Sequence, residues 1–271
     1  MGTSTFMKKL SLATFGAAAI TLGTGEVAKA GLNFLSTSGG QVGVINTSTG
    51  GFTEVARGPF MYDIALSSDN KLFGSDSRNL VGINPALGTF STIGSFGTFI
   101  NGLGFTSNNS LYGTGDSGFY RVNTLTGAAR LIANIAGFSS SGDLAYNVAN
   151  NRFLSTSSGD SLWSIALNGS AAKIGNIGFS QVYGLLFDRG TLYGYTGKKQ
   201  ITINTATGAG TFSKDVVQVV GSIGGAASAT AVPEPATVLG SLLGMGALGS
   251  LRSRHKSQRQ QKQQADALNG S

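Results

Sequence analysis

The chain repeats a unit of about 40 residues through most of its length. Segments 72–75, 111–114, 153–156 and 192–195 occupy equivalent places, and each precedes a turn rich in Gly, Ser, Asp or Lys. A second strand then ends in Asn-x-x-x-Gly, at 46–50, 84–88, 123–127 and 204–208, with a degenerate copy at 165–169. With Ala166 in the Asn place, successive units are separated by 38, 39, 43 and 38 residues. This period is typical of a four-stranded β-propeller blade.

The local sequence favours strands and tight turns throughout these units. An Asn at a strand end tolerates the left-handed region and bonds its own backbone, and the Gly four residues later supplies a positive φ. Helical periodicity is nowhere sustained. For one unit we predict strands at 63–66, 71–74, 80–84 and 90–94. The fold class is therefore all-β, and the 42 Gly residues fit its turns and tapered blades.

The two ends of the repeat region are complementary. The first unit, 31–57, lacks the inner strand with which other units open, whereas 222–230 resembles an inner strand with nothing after it. Joining them completes a fifth blade and removes exposed sheet edges. We predict a five-bladed propeller over 31–231. It resembles a broad class of bacterial secreted propeller repeats with an L-Y-G…V-N-x-x-T-G pattern, a resemblance that implies no particular activity.

The first 30 residues have the layout of a secretory signal peptide. Lys8 and Lys9 precede the apolar run 10–23, and Ala28-Lys29-Ala30 follows. A basic region, a short apolar region and an Ala-x-Ala site in this order predict export through the Sec translocon and cleavage by signal peptidase after Ala30.

The segment 232–271 has three ordered parts. The motif Pro233-Glu234-Pro235 comes first, then the uncharged stretch 236–251, and then a basic tail, 252–271, with a cluster at Arg252, Arg254 and Lys256. This order resembles the PEP-CTERM sorting signal, which exosortases of Gram-negative and cyanobacterial envelopes read. The resemblance implies transient anchoring in the inner membrane, because a 16-residue helix reaches only ~24 Å. The tail after 252 is longer than is typical of that family.

The scarcest residues exclude several kinds of chemistry. Cys is absent and the one His, His255, lies in the basic tail, so the body has no thiolate site and no Ser-His-Asp triad. The net charge of +7 belongs mainly to the ends, since 31–231 holds 11 basic and 9 acidic groups. The sequence therefore does not predict nucleic acid as a partner.

Two aspartates are the candidate binding residues of the body. Asp63 and Asp143 each open an inner strand, whereas Gly102 and Gly184 fill the alternate places. At the mouth of a central channel such carboxylates could hold Ca²⁺ or a polar ligand. The alternative is that they bond backbone amides between blades. No other metal or cofactor is predicted.

Two further patterns have simpler explanations than catalysis or ligand binding. The segment 113–118, Gly-Thr-Gly-Asp-Ser-Gly, matches a dinucleotide fingerprint and a serine-protease motif, but its context predicts a hairpin turn. The aromatic side chains Trp163, Tyr62, Tyr112, Tyr120 and Tyr183 could stack on sugars, or pack between blades.

Together these features predict an exported, exosortase-sorted, non-enzymatic protein of the cell envelope or extracellular matrix. Its propeller would have a binding or structural role at the cell surface, with extracellular polysaccharide as a candidate partner. The alternatives are a secreted propeller enzyme of the lactonase or glycosidase type, and a carbohydrate-binding module.

Overall fold

The computed structural model describes residues 32–229, which form strands and connecting turns without a helix. Several predicted features lie outside these residues: the expected signal peptide with its cleavage site at Ala28 and Ala30, the motif 233–235, the stretch 236–251 and the cluster at Arg252, Arg254 and Lys256. Within 32–229, no helix is long and apolar enough to span a bilayer.

Twenty strands form five four-stranded antiparallel sheets, the blades of a propeller. Their bounds, from the inner to the outer strand, are as follows: blade 1 has β20 (Ile223–Ser228), β1 (Asn33–Thr37), β2 (Gln41–Asn46) and β3 (Gly51–Arg57); blade 2 has β4 (Asp63–Leu66), β5 (Leu72–Ser75), β6 (Asn79–Asn84) and β7 (Thr89–Ser95); blade 3 has β8 (Gly102–Phe105), β9 (Leu111–Gly115), β10 (Gly118–Val122) and β11 (Ala129–Asn134); blade 4 has β12 (Ser140–Asn147), β13 (Arg152–Ser157), β14 (Ser161–Ala166) and β15 (Ala171–Asn176); blade 5 has β16 (Val182–Asp188), β17 (Thr191–Thr196), β18 (Lys199–Ile203) and β19 (Gly210–Asp215).

Blade 1 is assembled from both ends of the described chain. Strand β20 pairs antiparallel with β1, and the register runs from Asn33 opposite Ser228 to Thr37 opposite Ile223. The predicted closure is therefore confirmed. Because the last strand completes the sheet that the first three strands begin, the ring closes without a free inner edge.

The Asn-x-x-x-Gly turns join the third and fourth strands of four blades. In each, the Asn side chain caps the turn; Asn123 Oδ1, for example, accepts the amides of Leu125 (2.8 Å) and Thr126 (3.2 Å). The predicted backbone bonding is confirmed, but the left-handed residue is the Gly alone, as at Gly127 with φ +78°. In these turns the Asn acts through its side chain, and the Gly supplies the positive φ that closes the turn.

These turns also contact the neighbouring blade. Gly208, with φ +81°, lies against the backbone of Gly175 in the outer strand of blade 4. A Cβ at Gly175 would overlap the carbonyl oxygen of Thr207. The turn glycine is therefore required both by its own φ and by the close approach of two backbones.

The hydrophobic core is divided among the five junctions between adjacent blades, with one buried cluster at each. At the junction of blades 3 and 4, Phe153 is fully buried among the rings of Tyr112, Phe119 and Tyr146, at centroid distances of 5.1 to 6.0 Å. Packing between blades thus stabilises the ring, and the inner strands converge on its axis.

The ring has two ends, which we call the front and back faces. At the front face, the loops 58–62, 96–101, 135–139, 177–181 and 216–222 lead into the inner strands. The hairpin between the second and third strands of each blade lies there too, including the Asp116-Ser117 turn between β9 and β10. The hairpin prediction for 113–118 is thus confirmed. The back face carries the Asn turns and both ends of the described chain.

Candidate functional site

Each inner strand delivers one equivalent residue to the axis near the front face. In blade order these axial residues are Gly225, Asp63, Gly102, Asp143 and Gly184. The backbone amide of the residue that follows each of them lies beside the axis. No neighbouring strand accepts these five amides, so each needs another acceptor.

Asp63 accepts two of the five amides. Its Oδ1 accepts the amide of Ile64 at 2.7 Å, within its own blade, and its Oδ2 accepts the amide of Leu103 in the next blade at 2.6 Å. The carboxyl group therefore joins blades 2 and 3 and is fully buried.

Asp143 accepts the other three amides. Its Oδ1 accepts the amide of Leu144 at 2.6 Å, and its Oδ2 accepts those of Leu185 and Ala226, the latter at 2.9 Å. Leu185 belongs to blade 5 and Ala226 to the closing strand β20. One side chain thus connects three blades across the axis.

The remaining axial places are glycines, and at two of them a side chain would meet a close neighbour. A Cβ at Gly225 would lie 2.6 Å from Asp63 Oδ1, and one at Gly102 would overlap Thr114 Oγ1. Asp63 and Asp143 are themselves buried at the axis, where their carboxyl oxygens are occupied by backbone amides.

The two carboxyl groups also perturb each other. Burial raises the pKa of Asp63 well above its usual range, and the charge of Asp143 raises it further, against the lowering effect of the amide bonds. Burial likewise raises the pKa of Asp143 well above its usual range, although its amide bonds and a hydrogen bond with Asp63 lower it. The pair therefore retains a proton at pH values at which exposed aspartates are ionised.

Hydroxyl groups of the second strands support this centre. Ser75 Oγ donates to the carbonyl of Ile100 at 2.6 Å, and Ser155 Oγ donates to the carbonyl of Asp143 itself at 2.9 Å. The second bond fixes Asp143 in a left-handed conformation with φ 36°. Strand pairing alone would not produce this conformation, which aims the carboxyl group across the axis.

Of the two interpretations of the aspartates, the structure confirms the bonding of backbone amides between blades. Their placement at an open channel mouth is wrong, because both side chains are buried within the ring. Ca²⁺ needs free oxygen ligands, whereas these carboxyl oxygens already accept amide hydrogens. The arrangement therefore suits hydrogen bonding between blades better than Ca²⁺ binding. Among residues 32–229 no group of three or more His, Cys, Asp or Glu side chains is placed to hold a metal ion.

The five candidate aromatic residues separate into buried and surface groups. Trp163 and Tyr112 are buried at the junction of blades 3 and 4, as expected of packing residues. Tyr62 is 39% exposed on the front face, where it contacts Phe60 and Phe99, and Tyr183 is half-buried in the front half of blade 5. Tyr120 is half-buried against the core between blades 2 and 3.

A small niche opens on the front face between blades 4 and 5. It has a volume of about 160 Å³, and its polar lining includes Ser141, Thr156, Ser158, Asp160, Gln181 and Tyr183. Of these residues, only Tyr183 was predicted from the sequence as a candidate ligand-binding residue.

Comparisons with known proteins bear on the fold alone. No family model matches the sequence, and no curated protein matches it. Among solved structures, a Bacteroides thetaiotaomicron structural-genomics protein of unknown function is similar, with 17% identity, a TM-score of 0.51, and coverage of 73% of this chain and 62% of that one. This chain thus spans about three fifths of that protein's length. A chain of a nidogen/laminin complex is also similar, with 11% identity, a TM-score of 0.50, and coverage of 74% and 98%.

The fold and the axial site together define the class of protein. The described part of the chain is an all-β, five-bladed propeller of four-stranded antiparallel blades, closed by its own last strand. Two carboxyl groups at its axis accept backbone amides from neighbouring blades.

Proposed function

We propose that this propeller is an exported, non-enzymatic module of the cell envelope or extracellular matrix, with a binding or structural role. The signal peptide 1–30 directs its export, and the segment 232–271 presents Pro233-Glu234-Pro235 to an exosortase.

The observation that carries this proposal is the state of the axial carboxyl groups. A glycosidase or lactonase of the propeller type would use carboxylates at the axis to meet its substrate, and general acid–base catalysis needs a side chain within reach of that substrate. Here Asp63 and Asp143 are enclosed and occupied by five backbone amides. They stabilise the ring, which favours a rigid scaffold over a catalytic centre.

The positions of the chain ends are consistent with surface display. Asn33 lies opposite Ser228 in adjacent strands, so both ends leave the ring from neighbouring places on the back face. A body attached through 232–271 would be held by its back face, and its front face, with Tyr62 and the niche, would point away from the membrane.

The sorting half of the proposal is tested by substituting the motif in a host that contains an exosortase. Replacing Pro233, Glu234 and Pro235 together with Ala should leave full-length protein in the inner membrane, whereas Asp266→Ala in the same tail should not. Immunoblots of membrane and surface fractions measure both. Equal processing of the motif variant and the Asp266 control would contradict the sorting role.

The non-enzymatic half is tested by assaying lactone and glycoside hydrolysis with purified protein. We expect no turnover above that of buffer. Turnover that Asp143→Ala abolishes in a variant still folded by circular dichroism would instead establish the enzyme.

A further inference from the structure

The niche between blades 4 and 5 is built by two irregular inner strands. In β12, pairing skips Ser141 and Asp143, and in β16 it skips Tyr183. The inner strands β4 and β8 pair without such shifts, whereas β20 has one at Gly224, away from the niche lining. A bulge redirects the side chain of the extra residue, and bulges are common beside binding sites. Here the extra residues Ser141 and Tyr183 both line the niche.

The backbone around the niche is held in uncommon conformations. Asp160 and Gln181 both have φ 56°, in the left-handed region that residues other than Gly seldom adopt. The two are linked, because Asp160 Oδ1 accepts the amide of Gln181 at 3.3 Å. The conformation of Asp160 recurs in the equivalent turn at Asp116, with φ 47°, so Gln181 is the left-handed residue that distinguishes the niche.

The chemistry of the lining is that of a site for a polyhydroxylated ligand. Ser141, Thr156 and Ser158 supply hydroxyl groups, and Asp160 a carboxylate that can accept from two neighbouring hydroxyls of a ligand. The half-buried ring of Tyr183 offers an apolar face beside them. Polar groups that fix orientation next to an aromatic surface are the usual composition of a small-molecule site.

The size of the niche and the charge of its lining restrict the kinds of ligand that it can bind. The niche is small, with a volume of about 160 Å³, which suits one sugar unit better than a longer segment. Asp160 is the one charged residue among the lining residues, so an anionic sugar would be repelled. We propose that this niche binds a single neutral monosaccharide unit of a glycan, an inference that rests on the proposed binding role of the propeller.

The test is saturation-transfer NMR on the full-length protein, purified in detergent, with the methyl glycosides of glucose, galactose and mannose, and with glucuronate and glycerol as comparison ligands. Tyr183→Ala and Asp160→Asn remove niche contacts. Their matched controls are Tyr62→Ala, since Tyr62 and Tyr183 each directly precede an axial residue, and Asp116→Asn, since Asp116 occupies the equivalent turn with φ 47°.

We expect at least one neutral glycoside to bind, and both niche variants to weaken its binding by about tenfold or more, equivalent to ~1.4 kcal/mol, while both controls leave it within about twofold. The inference is overturned if none of the three neutral glycosides gives a signal, if the controls weaken binding as much as the niche variants, or if glucuronate or glycerol binds equally well. Sorting is measured independently: a correctly sorted protein that binds no sugar refutes this inference alone, and a sugar-binding protein that stays unprocessed in the inner membrane refutes the sorting role alone.

Discussion

The axial carboxyl groups allow a quantitative prediction from counting hydrogen bonds. Asp143→Ala removes the acceptor of three buried amides and Asp63→Ala that of two. Each buried donor left without a partner costs about 1–3 kcal/mol. We therefore expect losses in the free energy of unfolding of at least about 3 kcal/mol for Asp143→Ala and at least about 2 kcal/mol for Asp63→Ala.

The difference between the two variants is more informative than either loss. Each substitution removes one member of the same carboxyl pair, so relief of their mutual repulsion cancels in the comparison. One term does not cancel, because Asp143 has φ 36° and Ala is strained there. Asp116→Ala measures this strain separately, since Asp116 has φ 47° in an exposed turn. After that correction, Asp143→Ala should cost one amide more, about 1–3 kcal/mol.

The measurement is urea unfolding of the full-length protein followed by the fluorescence of Trp163. This is the one Trp in the chain, it is 8% exposed, and its ring packs edge-on against Phe138 at 5.6 Å. Its emission therefore reports loss of the junction between blades 3 and 4. A corrected Asp143→Ala loss no larger than that of Asp63→Ala would refute the reasoning that amide satisfaction holds the axis.

Three further outcomes follow from the same structure. Because the pKa values of Asp63 and Asp143 are raised, this pair holds more protons in the folded than in the unfolded state above pH ~4. The contribution of the pair to stability is therefore greatest in acid and falls as pH rises through the folded pKa, by up to ~1.4 kcal/mol per pH unit for each proton. Urea midpoints at pH 5 and pH 8 measure this, and an equal dependence in Asp63→Ala would contradict it. Deleting 221–231 removes β20 and should abolish cooperative thermal unfolding, so an unchanged melting curve would refute closure by the last strand. Gly175→Ala should lower the free energy of unfolding by about 1–3 kcal/mol, because its Cβ would overlap the Thr207 carbonyl. The control Gly51→Ala, whose Cβ meets only Thr49 Oγ1 at 3.3 Å, should change it by less than about 0.5 kcal/mol. Equal losses of the two variants in urea unfolding would exclude the close contact as the cause.

Most of the fold was predictable because the repeat makes each local signal recur. The inner strand of blade 2 was predicted at 63–66 as found, and the other strands of that blade were within one residue at each end. Turn chemistry explains this accuracy: in blade 2, Asn84 marks the end of one strand and Gly88 the approach to the next, and the same pair recurs in three other blades. Sequence alone did not show where each turn packs, because the contact of Gly208 with Gly175 depends on the tilt between blades.

The candidate sites were predictable only in part. The alternation of Asp63, Gly102, Asp143 and Gly184 is visible in the sequence and identified the axial residues. Their hydrogen-bond partners cannot be read from the sequence, because the partners are backbone amides, which every residue except Pro has, here those of Leu103 and Leu185. The niche was missed for a related reason: a bulge changes the direction of Ser141 and Tyr183 without changing their residue type.

Asp143 accepts three amides and Asp63 two, and this difference follows from the number of blades. An alternation of Asp and Gly cannot close on an odd ring, so two glycines, Gly184 and Gly225, must fall in adjacent blades. The amide of Ala226 then has no axial carboxyl in its own blade, and Asp143 supplies its acceptor from across the axis at 2.9 Å. Because Ala226 lies in β20, this bond fastens the strand on which closure of the ring depends. Asp143 therefore couples the chemistry of the axis to the joining of the two chain ends, whereas the two amides that Asp63 accepts, those of Ile64 and Leu103, belong to consecutive blades.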